Sequence, residues 1–490
     1  MFNIENDGVA KITVKGEHIT LRAITLLTET DNRDTLVSET KKHLFRGKIE
    51  ETEGHIFILV DKLSAKASVF IVPTPDCVMP SIRIEEGCAY IKTHGYPVSV
   101  GTATPSDAER LSRYWYRMQY RPDGLHTMSN TWGDRNGRTR VNDEFIRREI
   151  DSGADLGLDV VQIDDGWQVG IPDTFEDDGL VVKDRDFWRL KEEIFPEGME
   201  SLSDYAKERG VALGLWFAPE SRGVFANYSR DISVLRNAYN DWNIRYFKLD
   251  MVRLRELPYC ERMLDFLDDV FSFGDDLSVE LDVTADKRLG YLMSAPYGRI
   301  FVENRYTAWA NYYPHRTLRN IWTLSRFIPT SKFQFELVNP DLCTDKYSDT
   351  DPLRPELYDI DYLFASVMLS NPLFWMETQF LSDRNREKIK NIISLWKEYR
   401  SELVCGDVYP IGDEPDGFST TGFVCDLGEE KHLVLFRECG EEKEATFKLG
   451  FDINDAKLIA SNTKVTYEFS NKEINVTFAK KRSYVWLKVR

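Results

Sequence analysis

"IRYFKLDMV", residues 244–252, followed by "CERMLDFLDDVFS", residues 260–272, decides how this chain is read. The first is a short apolar run rich in strand formers, interrupted by a lysine and an aspartate two positions apart. The second spaces its apolar residues by three and four, the period of an amphipathic helix. A strand leading into a helix is half of a βαβ unit, and the pair recurs. "LHTMSNTWG" (125–133) precedes "VNDEFIRREIDSGADLG" (141–157), "LDVVQIDDGW" (158–167) precedes "MESLSDYAKERG" (199–210), and "VALGLWFAPE" (211–220) precedes "DISVLRNAYNDW" (231–242). Downstream, "LSVELDVT" (277–284), "YGRIFVENRY" (297–306) and "FQFELVNPD" (333–341) read as further strands. "DYLFASVMLSNPLFWM" (361–376) and "REKIKNIISLWKEYRSEL" (386–403) read as helices. So many strand–helix units in succession favour a closed (β/α)₈ barrel over an open doubly wound sheet.

On either side the period falls to two. "KITVKG", "HIFILV" and "ASVFIV" near the start, and "KHLVLFR", "EATFKLG", "KVTYEF" and "SYVWLKV" near the end, alternate like half-buried antiparallel strands. The expected organisation is an α/β chain with an N-terminal β-sandwich over 1–105, a TIM barrel over 106–404 and a small C-terminal β-sandwich over 405–490. The aromatic run "YWYRM" (114–118) is expected to pack the first unit against the barrel.

Composition limits the chemistry. With 42% hydrophobic and 12% aromatic residues the chain can bury several cores, and its net charge of −18 argues against a nucleic-acid partner. No apolar run approaches the roughly 20 residues needed to cross a bilayer, so no membrane association is expected. "MFNIENDGVAK" lacks a basic stretch followed by an apolar one, and a cytoplasmic setting is expected. The seven cysteines have no CxxC spacing and read as reduced thiols. The seven histidines show no HxH or HExxH spacing, and no GxGxxG or phosphate-binding loop follows a strand, so neither a metal nor another cofactor is expected.

Within a barrel strand, residues two apart share a face, and catalytic groups gather at the C-terminal ends of the strands. Lys248 and Asp250 therefore point together toward that rim, unless they form no more than a structural ion pair in the barrel mouth. Three other strand ends point to the same place: Asp164, Asp165 and Trp167 in "QIDDGW", Trp216 and Glu220 in "GLWFAPE", and Trp132 and Asp134 in "SNTWGD". Acidic groups interleaved with indoles suit a sugar, whose hydroxyls need charged acceptors and whose C–H face needs an apolar plane.

"LGLDVVQIDDGWQ", "FPEGMESLSDYAKERGVALGLWFAPE" and "YFKLDMV", in this order and spacing, resemble the barrel of the glycoside hydrolase family 36 α-galactosidases in the melibiase clan. The resemblance implies a retaining α-glycosidase acting on an α-linked oligosaccharide or glycoside, with Asp250 as nucleophile. It further implies that Asp164 and Asp165 bind the sugar hydroxyls, that Trp132 and Trp216 line the pocket, that Lys248 holds a hydroxyl beside the nucleophile, and that Arg288, in "DVTADKRLG", contacts substrate. Two departures from the family pattern stand out. The glycine-rich run before Arg288 is missing. At the position of the general acid/base, sixteen residues beyond Arg288, stands Asn304, which has no proton to donate. Its neighbour Glu303 is the expected replacement if the strand end shifts by one residue. The alternatives are a structural salt bridge for Glu303, or an acid from "NPDLCTDKYSDTD" (339–351), which holds Asp341, Asp345 and Asp349. A non-catalytic carbohydrate-binding protein on the same barrel and a transglycosidase stay open as alternative functions, as do association into a homo-oligomer and the identity of the sugar.

Overall fold

The computed structural model describes every residue except 5, 6, 15, 17, 121–123, 135 and 136. Eight parallel strands close into a barrel: β1 Met128–Asn130, β2 Val160–Ile163, β3 Ala212–Phe217, β4 Tyr246–Leu249, β5 Ser278–Asp282, β6 Arg299–Phe301, β7 Phe333–Leu337 and β8 Asn371–Phe374. β8 pairs with both β7 and β1, which completes the ring. The strand–helix reading holds, with helices Asp143–Leu156, Gly198–Glu208, Tyr228–Asp241 and Leu257–Phe271 after β1 to β4.

One element differs from expectation. The segment read as a single helix over 361–376 is a helix at Ile360–Val367 followed by strand β8. The run is apolar throughout, so its periodicity cannot separate the two, and Pro372 lacks the amide a central strand normally donates. Neighbouring Asn371 supplies additional bonds, its Nδ2 donating to the carbonyls of Ser331 and Phe333 at 2.9 Å each.

The pleat sorts each barrel strand into two faces. In β4, Phe247 and Leu249 face outward into an apolar layer with Phe266 and Leu267 of the following helix, while Lys248 shares the inward face with Tyr246. In β2, Val161 and Ile163 pack outward while Gln162 turns in. The interior beneath the mouth is polar and hydrogen-bonded: Asn130 Nδ2 donates to Gln162 Oε1 at 2.7 Å, Gln162 Nε2 to Glu280 Oε2 at 3.4 Å, and Arg299 Nη1 lies 3.5 Å from Glu280 Oε1. Such groups tolerate burial because they satisfy one another.

The N-terminal residues form a six-stranded and a four-stranded antiparallel sheet. Strand alternation lets the larger sheet bury both sides. Phe57, Leu59 and Phe70 meet the smaller sheet, while Ile56, Ile58, Val69 and Ile71 join a core that runs into the barrel layer. Helix Ala108–Gln119 bonds that junction, with Trp115 Nε1 donating to Ser99 Oγ at 2.8 Å and Tyr116 Oη to the Tyr291 carbonyl at 2.6 Å. The aromatic run thus packs as its position suggested. After strand Ile19–Leu26 the chain reaches over the barrel mouth in a short 3₁₀ turn, Thr30–Asn32. At the other end, sheets of five and three strands enclose a core of Leu433, Leu435, Phe447, Ile474 and Val485, while Trp486 and Phe436 pack toward helix Asp383–Cys405.

Candidate active site

A cavity of about 400 Å³ opens at the C-terminal ends of the barrel strands. Asp164, Asp165, Trp132, Trp216, Lys248, Asp250 and Arg288, singled out in the sequence, all line it.

Asp250 follows β4 directly. Its amide still donates to the Phe217 carbonyl at 3.1 Å, which carries the strand pairing one residue further. The chain then breaks at Met251, whose φ of 60° is left-handed, an unfavourable choice for a residue with a side chain. That turn swings the Met251 amide onto Asp250 Oδ1 at 2.5 Å. Trp216 Nε1 donates to Asp250 Oδ2 at 3.1 Å, and Lys248 Nζ and Arg288 Nη2 each stand 3.8 Å away. All four neighbours are donors or cations, the complement of an acceptor-only carboxylate. Asp250 keeps 18% of its side chain open to the cavity.

Lys248 is buried at the centre of a triad of carboxylates, 3.2 Å from Asp164, 3.8 Å from Asp250 and 3.9 Å from Asp282. Burial alone would lower its pKa, but the three carboxylates outweigh it and hold the ammonium above its ordinary value. The rings of Phe301 and Trp375, centred 4.8 and 4.9 Å from Nζ, form its floor. Asp282 is raised to about 6, first by burial and then by the charge of Asp250, with Lys248 and Arg288 opposing.

The DDGW turn divides its residues between pocket and core. Asp164 Oδ2 accepts from Asn130 Nδ2 at 2.8 Å as well as from Lys248. Asp165 accepts from Arg138 Nε and Gln168 Nε2, both at 2.6 Å, and burial keeps its pKa above the ordinary value despite them. Gly166, at a φ of 127° open only to glycine, then turns the chain inward. Trp167 consequently lies in the core, stacked on Trp188, with its indole N–H on the Trp216 carbonyl at 2.9 Å. Glu220 is likewise withdrawn, buried against Arg230 at 2.9 Å and Asn227 at 2.7 Å, and Asp134 accepts from the Glu377 amide at 3.0 Å. None of these three lines the cavity.

Glu303 is a correction. β6 ends at Phe301 and its pairing runs only one bond further, from the Val302 amide to the Gln334 carbonyl at 3.2 Å, so the alternation no longer governs Glu303 and Asn304, and Asn304 faces the cavity. The Glu303 carboxyl is 1% exposed and turned behind the pocket toward helix Pro314–Leu324, where it accepts from Thr317 Oγ1 at 2.8 Å and from Asn320 Nδ2 and lies 3.9 Å from Arg305. A carboxylate so enclosed does not reach a glycosidic oxygen. The loop acids fare no better. Asp341 is engaged by Ser382 and Asn385 at 2.8 Å each, and neither it nor Asp345 or Asp349 lines the cavity.

Several lining residues escaped the sequence reading. Trp309, 51% exposed, lines the cavity with its ring 4.5 Å from that of Tyr306, as does Phe175 on a short hairpin. Asp31 enters from the N-terminal sandwich. No local signal marks it, since it sits in a polar turn far from any barrel motif. Among the described residues, no group of three or more His, Cys, Asp or Glu side chains is arranged to hold a metal.

Residues 108–268 match the melibiase family model. The chain is 32% identical over 112 residues to the α-galactosidase Mel36A of Lactobacillus acidophilus, a stretch covering 23% of this chain and 14% of the relative, so it matches about a seventh of that protein's length. A similar stretch of 111 residues is 33% identical to the α-galactosidase AgaA of Geobacillus stearothermophilus, covering 23% of this chain and 13% of that one. In three dimensions the chain superposes on an AgaA variant solved with 1-deoxygalactonojirimycin, with a TM-score of 0.70 at 14% identity, over 98% of this chain and 76% of that one. An AgaA variant solved with raffinose gives 0.68 over 96% and 76%, also at 14% identity. The likeness read from three motifs thus holds at two levels: residues 108–268 match the melibiase family model, and the chain shares the fold of the solved glycoside hydrolase family 36 α-galactosidases.

Proposed function

We propose that the chain is a retaining α-glycosidase of the α-galactosidase type, in which Asp250 forms a covalent glycosyl ester. The observation that carries this reading is the setting of Asp250: a carboxylate at the end of β4, open to a cavity of about 400 Å³ and held by two cations, an indole and a backbone amide. Attack by that carboxylate on the anomeric carbon divides one displacement into two, and water resolves the intermediate with retention. Asp164, Asp165 and Lys248 bind hydroxyls at the closed end of the pocket, Trp132 and Trp216 flank the ring, and Arg288 steadies Asp250 from the far side. A terminal α-galactosyl group is the expected substrate unit, supported by the likeness to α-galactosidases crystallised with raffinose and stachyose. A cytoplasmic location belongs to the same proposal; no helix among the described residues is long and apolar enough to cross a membrane.

A panel of nitrophenyl α- and β-glycosides tests this reading, with the anomer released first identified by NMR. Release of α-galactose from the α-galactoside supports it. Saturable sugar binding without turnover would replace it with the carbohydrate-binding alternative, and transfer to a second sugar in preference to water with the transglycosidase.

Asp164→Asn and Asp165→Asn each remove one charged acceptor without removing a proton donor. Hydrogen bonds to charged groups are worth about 1.5–3 kcal/mol, so kcat/KM should fall on the order of 10- to 200-fold with the shape of the pH profile kept. A displaced limb in either variant would mean that the residue transfers a proton. Trp309→Ala should raise KM for raffinose by about 2- to 10-fold, the worth of one aromatic contact, and leave a methyl α-galactoside nearly unaffected. Equal effects on both substrates would remove Trp309 from the aglycone side.

A further inference from the structure

The glycosidase reading leaves one role unfilled, that of the group that protonates the departing oxygen. Glu303 and the loop acids lie outside the cavity, and Asn304 inside it carries no acidic proton. Of the five carboxylates that line the cavity among the described residues, four are already committed to cations: Asp164 to Lys248, Asp165 to Arg138, Asp250 to Lys248 and Arg288, and Asp286 to Arg253 and Arg255. The fifth is Asp31.

We propose that Asp31, carried into the barrel mouth by the N-terminal sandwich, is the general acid/base of this site. The assignment rests on the glycosidase reading above and deepens it.

Asp31 is held in place by its backbone. The Asp31 amide donates to the Thr284 carbonyl at 3.0 Å, the Glu29 amide to the Val283 carbonyl at 2.9 Å, and Thr30 Oγ1 to the Val302 carbonyl. These bonds clamp the turn across the ends of β5 and β6, next to β4 and its nucleophile. Glu29 adopts a left-handed φ of 59° to make the approach, a strain that the clamp sustains. One carboxyl oxygen, Oδ2, accepts from Asn304 Nδ2 at 3.4 Å, and the other, Oδ1, is buried and has no hydrogen-bond partner among the described residues. The Tyr306 hydroxyl donates to Asn304 Oδ1, which turns the asparagine amide toward Asp31. Asn304 is therefore the orienting neighbour of the acid.

The surroundings suit a carboxyl that is protonated at rest. Burial, then the charge of Asp282 on β5, push Asp31 up to about 7; Asp250 after β4 adds to this, while the Asn304 hydrogen bond and Arg305 oppose it. Glu336 on β7 is a further negative group within electrostatic reach. In the first step the Asp31 proton passes to the leaving oxygen as the C–O bond breaks and the Asp250–carbon bond forms. In the second, Asp31 takes a proton from water as the water oxygen bonds to the anomeric carbon and the Asp250 ester is released. Both residues return to their starting states.

The test measures kcat/KM for Asp31→Asn across aryl α-galactosides from phenyl to dinitrophenyl, with raffinose as the natural-type extreme. Poor leaving groups should slow by about 10²- to 10⁴-fold and dinitrophenyl by less than about tenfold. Asp31→Ala should be accelerated by azide and yield α-galactosyl azide, because azide attacks the ester without needing a base. Asn304→Ala, which removes a bond favouring the charged form, should shift the basic limb of kcat/KM for phenyl α-galactoside to higher pH, and this readout needs no change at Asp31. Uniform slowing across leaving groups without an azide product, or an unmoved basic limb in Asn304→Ala, overturns the role of Asp31 while the glycosidase reading stands. If the unmodified chain turns over no glycoside, both fall.

Discussion

Asp250→Ala is expected to lower kcat/KM by more than about 10⁴-fold for every substrate, good leaving groups included, which exceeds the 10²–10⁴ attributed to an acid/base group. The breadth of the loss distinguishes a nucleophile from a proton donor, because no leaving group makes the attacking atom dispensable. The fold should persist. Asp250 is partly open to the cavity, and without it Lys248 still pairs with Asp164 and Asp282. What is lost locally is the acceptor for the Trp216 indole and the Met251 amide, an unpaired donor costing about 1–3 kcal/mol each at most. Formate should restore part of the rate with an activated substrate by occupying the vacated space. Mass spectrometry supplies the direct check, since a slow 2-fluoro glycoside should leave its label on the peptide that contains Asp250. Label on another residue, or more than about a hundredth of the activity remaining in Asp250→Ala, would remove the assignment.

Lys248→Met should damage both activity and stability, for a reason visible in the charge count. The wild-type ammonium faces three carboxylates within 4 Å, and the two at Asp164 and Asp282 are buried. Removing one partner of a buried ion pair costs about 3–5 kcal/mol, because the remaining charge is left uncompensated. The sign of the pH dependence follows from Asp282, which stands at about 6 even with Lys248 opposing the rise. In the variant it should rise further above its unfolded value, so the folded state binds more protons than the unfolded one. Stability should therefore recover as pH falls from 7 toward 5. Urea denaturation at the two pH values measures this, and a deficit that grows on acidification would contradict it. In the same variant kcat/KM should fall by about 10- to 200-fold, since a hydrogen bond from the ammonium to a sugar hydroxyl is worth about 1.5–3 kcal/mol. An unchanged kcat/KM would leave Lys248 a purely structural role.

How much of this was legible before the fold was known follows from the range of the interactions involved. The period of two in "IRYFKLDMV" places Lys248 and Asp250 on one face, and the helices that follow each strand require parallel pairing and hence a rim where the strand ends meet. Asp164, Trp216 and Lys248 converge for that local reason, and the family motifs within 108–268 are contiguous stretches of the same units. The alternation stops being a guide where the strands stop. Whether Glu303 or Asn304 faces the cavity depends on β6 ending at Phe301 and on Thr317 and Asn320 being available behind it. Trp167 and Glu220, neighbours of the pocket in sequence, are drawn into the core by Trp188 and Arg230. The apolar run that hides β8 becomes a strand only because β7 and β1 leave a gap of its width. Asp31 is the extreme case. It lies some 219 positions before Asp250 in the chain, and only the packing of the sandwich against the barrel, with its turn bonded to the carbonyls of Val283, Thr284 and Val302, brings it to the site. Sequence by itself determined seven of the eight barrel strands, their inward faces and the place of Asp250 at a strand end, because these are set by neighbours in the chain. Tertiary structure alone decided which carboxyl completes the pocket, because that depends on contacts between segments that sequence spacing does not encode.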